Sequence, residues 1–162
     1  MKKTALALAT ALLLLTACDS SSTDNGGVDG SGVGANGAGT GNGVLGQSAD
    51  GTNVTDRVYF ATNSSVIDSE GQASLDRQAG WLKQYETVNV VLEGHADERG
   101  TREFNIALGE RRATAAKNYL VSQGVAASRI STISYGKERP AVTGNDEGSW
   151  SQNRRAVTVI AN

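Results

Sequence analysis

Composition breaks sharply near residue 53, and that break limits which part of the chain can build a core. Residues 19–53 are mostly glycine, serine, asparagine, threonine and aspartate, with four aspartates and no lysine or arginine. Such a segment cannot bury enough apolar surface to offset its ordering entropy. It reads as a disordered tether of 35 residues. A glycine-rich coil of that length spans roughly 30–35 Å on average and reaches about 120 Å when stretched. Folding is left to residues 54–162, about 109 residues, enough for one domain with its own core. That stretch carries 13 acidic and 13 basic residues. Its zero formal charge argues against a nucleic-acid footprint and against a single-sign interaction tail.

The first eighteen residues point to a compartment. Lys2 and Lys3 precede residues 5–15, which are apolar apart from Thr10. A membrane-spanning helix needs about 20 apolar residues, so this run is too short to span and fits the core of a secretory signal. It closes on Leu15-Thr16-Ala17-Cys18, which resembles a bacterial lipobox. The resemblance implies that the Cys18 thiol takes a diacylglycerol and the freed amine a third acyl chain. One acyl chain binds a bilayer only marginally, at about 0.8 kcal/mol per buried methylene, whereas three hold firmly. The plainer alternative is an ordinary signal peptide with an incidental cysteine. Cys18 is the only cysteine, so no intramolecular disulfide forms. Asp19 follows it; in lipoproteins of enteric bacteria an aspartate there favours retention on the inner membrane. Within the tether, Gly32-Val33-Gly34-Ala35-Asn36-Gly37 matches the dinucleotide pattern GxGxxG. That pattern needs a strand before it and a helix after it; neither is expected here, so it is a chance match.

The folded part alternates strands and helices. Residues 57–60 read as a strand, followed by a polar loop at 61–65. Ser69 stands three residues before Gln72, a capping-box spacing, and Leu75, Ala79 and Leu82 recur at i, i+4 and i+7, so a helix should run to about residue 85. Valine-rich residues 88–92 fit a central strand. A second helix is expected from about Arg102 to Gly124, then strands at 130–135 and 156–160. The expected result is an α+β, two-layer domain in β-α-β-α-β-β order, with a mixed four-stranded sheet and two main helices on one face.

Leu108, Arg112, Ala115 and Tyr119 fall at i, i+4, i+7 and i+11 of the second helix, which places Arg112 on the apolar stripe. Neighbouring Arg111 points about 100° away, toward water. A charge on an apolar stripe needs a partner. Asp97 stands fifteen positions earlier, in the loop before the helix. Two readings stand side by side: Asp97 and Arg112 pair with each other and pin the loop, or together they hold a ligand carrying both an ammonium and a carboxylate. His95, the sole histidine, lies near Glu93 and Asp97. Zinc usually takes several histidine or cysteine ligands and none remain, so no metal or other cofactor is expected.

Several blocks carry a resemblance: residues 58–60 (VYF), 93–101 (EGHADERGT), 104–113 (FNIALGERRA), 134–142 (SYGKERPAV) and 153–157 (NRRAV). In these blocks, their spacing and the order lipobox, tether, domain, the chain resembles the OmpA-like family of peptidoglycan-binding domains, in its lipid-anchored branch. The resemblance implies binding without chemistry, to the peptide stem of peptidoglycan at meso-diaminopimelate. It puts the family aspartate and arginine on Asp97 and Arg112 and a supporting leucine on Leu108. Asp97 would accept from the ligand's ammonium, and Arg112 would grip its carboxylate with two parallel bonds. In the loop after the first strand the family often has phenylalanine then aspartate; this chain has Thr62 and Asn63. Asn63 keeps an acceptor oxygen but not the charge, and charge-assisted bonds are roughly twice as strong as neutral ones.

The resemblance also implies a periplasmic propeller protein of the Tol system as a partner on an overlapping surface, and an outer-membrane location, against which Asp19 weighs. Arg154 and Arg155 read as partly structural. Trp81, Tyr85 and Trp150 read as half-buried packing groups or as partner anchors; they form no stripe for stacking bases. Three function classes follow: a tethered cell-wall anchor, a protein-interaction module, and a cell-wall hydrolase. Against the last, Glu93, Asp97, Glu98 and Glu103 come with no evident nucleophile–base pair or metal set.

Overall fold

The structure, a computed structural model, describes residues 43–161. The lipobox, Cys18, Asp19, the GxGxxG match and most of the expected tether lie outside those residues.

A four-stranded mixed sheet forms from β3 (Arg57–Tyr59), β4 (Val90–His95), β5 (Ile130–Gly136) and β6 (Arg155–Ile160), in the order β3-β6-β4-β5. β4 runs parallel to β5 and antiparallel to β6, and β3 pairs antiparallel with β6. Helices α1 (Ser69–Gln84) and α2 (Arg102–Ser122) pack on the sheet and on each other. The two-layer α+β domain read from the sequence is therefore present.

The helix boundaries follow local chemistry. α1 is capped by Asp68, whose carboxylate accepts from Gly71 N at 2.8 Å. That places the cap one residue ahead of the expected Ser69, because a carboxylate both accepts and complements the helix dipole. Gln72 instead reaches the Ile67 carbonyl. Leu75, Ala79 and Leu82 are buried as their spacing required. α2 starts on Thr101, whose hydroxyl accepts from Phe104 N. Its buried stripe is Asn105, Leu108, Gly109, Arg112, Ala113, Ala116 and Leu120, so Ala115 and Tyr119 sit at its edge rather than its centre.

Two elements differ from the sequence expectation. The last part of the expected tether is ordered: β1 (Val44–Gln47) pairs antiparallel with β2 (Asn53–Thr55). Leu45 and Val54 are buried in the main core, and Gly46 lies flat on the Trp81 indole, where a Cβ would stand 2.5 Å from the ring nitrogen. Two apolar side chains and one glycine contact suffice to dock a segment whose average composition is that of a coil. The second is α3 (Glu147–Asn153), capped by Asp146. It has too few apolar residues to show a helical period. Gln78, fully buried, ties α1 to the strands by donating to the Thr55 carbonyl and accepting from the Thr158 hydroxyl at 2.6 Å.

Candidate functional site

One end of the sheet gathers four segments: the loop leaving β3, the loop leaving β4, the buried stripe of α2, and α3 with the turn into β6. The strand register brings them together, with Tyr59 opposite Arg155, Gly94 opposite Ala156 and His95 beside Gly136.

Arg112 projects from α2 into this gathering and is fully buried. Its Nε donates to the Ser64 carbonyl at 2.8 Å, Nη1 to the His95 carbonyl at 2.8 Å and Nη2 to the Ala61 carbonyl at 3.1 Å. The guanidinium also lies 5.3 Å from the Phe60 ring centre. Three of its five donors therefore hold the β3 loop and the end of β4, and two remain. Burial lowers its pKa to about 10, partly countered by the negative charge of Asp97 and reinforced by Arg154 and Arg111, so it stays charged at neutral pH. Leu108, one turn earlier on the same helix stripe, is buried but is not part of the main core cluster.

Asp97, also buried, does not pair directly with Arg112. Its Oδ1 accepts from Arg99 N and Nε, both at 3.1 Å, and Oδ2 accepts from Arg99 Nη2 at 2.6 Å. Arg154 Nη1 lies 3.5 Å from Oδ2. Burial pushes the Asp97 carboxyl up, but the hydrogen bonds and charge of Arg99 outweigh it, and the net direction is down. The reading in which Asp97 and Arg112 pin the loop by pairing is thus replaced: Arg112 pins it through backbone carbonyls.

Arg154, read from sequence as structural, belongs to both roles. Its Nε donates to the Phe60 carbonyl at 3.0 Å and Nη2 to Glu147 at 2.5 Å, while Nη1 has no hydrogen-bond partner and only the ion pair with Asp97. Arg99 stacks over the Trp150 ring at 4.2 Å and its Nη2 lies 3.4 Å from the Thr62 hydroxyl. Trp150 donates to Glu98 at 3.1 Å. The neighbouring Asn63 is exposed and holds φ at 52°, a left-handed conformation that asparagine tolerates better than most residues.

The structure thus brings Asp97, Arg112, Leu108 and Thr62 to one place, with Asn63 on its rim. Sequence reasoning missed Arg99 and Glu147 and read Trp150 only as a packing group or a partner anchor. Arg99 carried a local signal: a residue two positions past an aspartate can close an Asx turn onto it. Glu147 and Trp150 carried none, because α3 was invisible. Among the described residues, no group of three or more His, Cys, Asp and Glu could hold a metal ion.

Against known proteins, the OmpA family model matches residues 59–154. A peptidoglycan-associated lipoprotein of Mesorhizobium japonicum is 53% identical over 152 residues, covering 93% of this chain and 88% of that one. One from Rhizobium meliloti is 58% identical over 108 residues, covering 67% of this chain and 61% of that one. Among solved structures, the peptidoglycan-associated lipoprotein from Burkholderia pseudomallei superposes with a TM-score of 0.64 at 40% identity, covering 66% of this chain and 91% of that one.

Proposed function

The chain belongs to the OmpA family, among its peptidoglycan-associated lipoproteins, and from that premise we propose that its domain is a lipid-tethered clasp for the bacterial cell wall. Its ligand is the peptide stem of peptidoglycan, held at the free end of meso-diaminopimelate without a bond being made or broken. The observation that carries this reading is the convergence of a carboxylate, Asp97, and a guanidinium, Arg112, at one end of the sheet. Diaminopimelate presents an ammonium and a carboxylate on one carbon. Asp97 receives the ammonium. Arg112 offers the carboxylate its two uncommitted donors, Leu108 supports the floor, and Thr62 and Asn63 form the rim. A lysine-type stem, lacking that carboxylate, leaves those donors unused.

The match over 152 residues exceeds the described domain and takes in sequence ahead of it, which supports a lipoprotein leader with Cys18 as the acylated residue. Among the described residues no helix is long and apolar enough to cross a membrane. The proposal places the protein on the outer membrane, with Asp19 arguing for the inner one, and makes it the wall-binding part of a Tol system that supports envelope integrity and constriction at division. Val66 and Phe104, both largely exposed beside the site's loops, suit a propeller-protein partner on an overlapping surface. A hydrolase reading finds little support, since a carboxylate held ionised beside two arginines is a poor proton donor.

Asp97→Asn tests the clasp while keeping the side chain's shape. Charge-assisted bonds contribute about 1.5–3 kcal/mol, so binding of diaminopimelate-type peptidoglycan should fall by roughly ten-fold or more. Wild-type retention in a sedimentation assay with purified sacculi would overturn the site assignment.

A further inference from the structure

Asp97 already has a cation on it. Arg99 makes three hydrogen bonds to its carboxylate, two from the guanidinium and one from the backbone. The second cation, Arg154, is locked: its side chain is 7% exposed and fixed by the Phe60 carbonyl and Glu147. Arg99 is not. Its side chain is 38% exposed, rooted in a loop, with one guanidinium face on Trp150 and only a long contact to Thr62 beyond.

Resting on the reading of Asp97 as the ammonium acceptor, we propose that Arg99 is a specificity-determining latch: an internal cation occupying the ammonium's place that only an incoming ammonium displaces. The exchange conserves charge. Asp97 swaps one charge-assisted partner for another, and no buried carboxylate is left bare at any stage. Arg99 needs only to rotate outward, into water that already reaches it. A stem whose amine is acylated offers no positive charge and leaves the latch shut. Selection against neutral analogues therefore comes from a competitor the analogue cannot replace, in addition to contacts it cannot make.

The test compares Arg99→Gln with the wild-type full chain, in detergent, using a soluble muropeptide that ends in meso-diaminopimelate and titration calorimetry. An ion pair whose arginine is partly exposed is a modest obstacle, so removing it should tighten binding by about five-fold. Trp150 emission should change on ligand addition in wild type, as the stacked guanidinium leaves, and change little in the variant. Should Arg99→Gln melt early, Arg99→Lys probes the same contact, because an ammonium lacks the planar fork; it should bind about two-fold tighter. Equal or weaker binding in these variants overturns the latch. If Asp97→Asn loses binding at the same time, only the latch fails; if Asp97→Asn binds like wild type, the clasp fails with it.

Discussion

A buried arginine is costly unless its donors are met, and Arg112 meets three of them with carbonyls from the loop after β3 and the end of β4. The residue therefore builds the pocket it is proposed to serve, and its removal would leave three carbonyls unmatched as well as a ligand ungripped. One of those carbonyls belongs to His95, whose own ring is buried with neither nitrogen hydrogen-bonded. Glu93 approaches the ring only to 3.7 Å; Tyr135 lies at 5.6 Å, and Arg155 and Arg139 complete its surroundings. Burial is the main reason its pKa is lowered, against the opposing pull of Glu93. The folded value lies below the unfolded one, so the unfolded chain takes the proton first. The stability tied to a neutral ring is complete above the unfolded value of about 6.5 and is lost as pH falls toward the folded value, by at most about 1.4 kcal/mol per pH unit. Since His95 is the only histidine, one substitution isolates the effect. Denaturant titrations at pH 7.5 and 5.5 should show wild type losing stability while His95→Phe loses much less. Parallel losses in both proteins would count against this origin.

At the level of elements, the depth of Arg112 is set by a pair of glycines. Gly94 in β4 and Gly109 in α2 touch backbone to backbone, and a Cβ on either would run into the other's carbonyl. Gly109→Ala has two opposed effects. A helix interior gains about 0.5–1 kcal/mol from alanine over glycine, whereas an overfilled contact costs about 1–3 kcal/mol. The added Cβ would stand 2.3 Å from Ser134 Oγ and 2.8 Å from the Gly94 carbonyl oxygen. The hydroxyl can turn away only by giving up its bond to the Ile106 carbonyl, and the backbone cannot turn at all, so the second effect wins and α2 lifts from β4, carrying Leu108 and Arg112 with it. Both stability and muropeptide binding should drop. Gly80→Ala in α1 is the matched control: nothing lies within 4 Å of its added Cβ, so it should stabilise by about 0.5–1 kcal/mol. Thermal melts showing a stabilised Gly109→Ala would refute the close-contact account. These glycines also show what a sequence hides. The period of Leu75, Ala79 and Leu82 announced α1, and Arg112 announced itself by standing on an apolar stripe. Gly94 and Gly109 lie apart in sequence and only the packing makes them a pair. Likewise the sequence offered Asp97 and Arg112 as candidates, while the direction of Arg112's donors, toward carbonyls, is set by packing.

Across the whole molecule, composition put the start of the folded domain at residue 54, whereas the first described strand begins at Val44. Averaging over residues 19–53 hid Leu45 and Gly46, which together with Val54 dock β1 and β2. With the hairpin starting at Val44, the chain between Cys18 and the first described strand is residues 19–43, whose contour cannot exceed about 90 Å. An anchor at Cys18 would act on this domain through that length. The residues from 54 onward have balanced formal charge, so no net positive charge draws them to anionic lipid. No described helix can span a membrane. If Cys18 carries three acyl chains, they are enough to hold the protein firmly on a bilayer. Cys18→Ser should therefore shift the protein from the membrane fraction to the soluble periplasmic fraction, with its melting temperature and its binding to soluble muropeptide unchanged. Persistence of the variant in washed, sacculus-free membranes would mean that some other part of the chain holds the bilayer, and the tether would lose its assigned purpose.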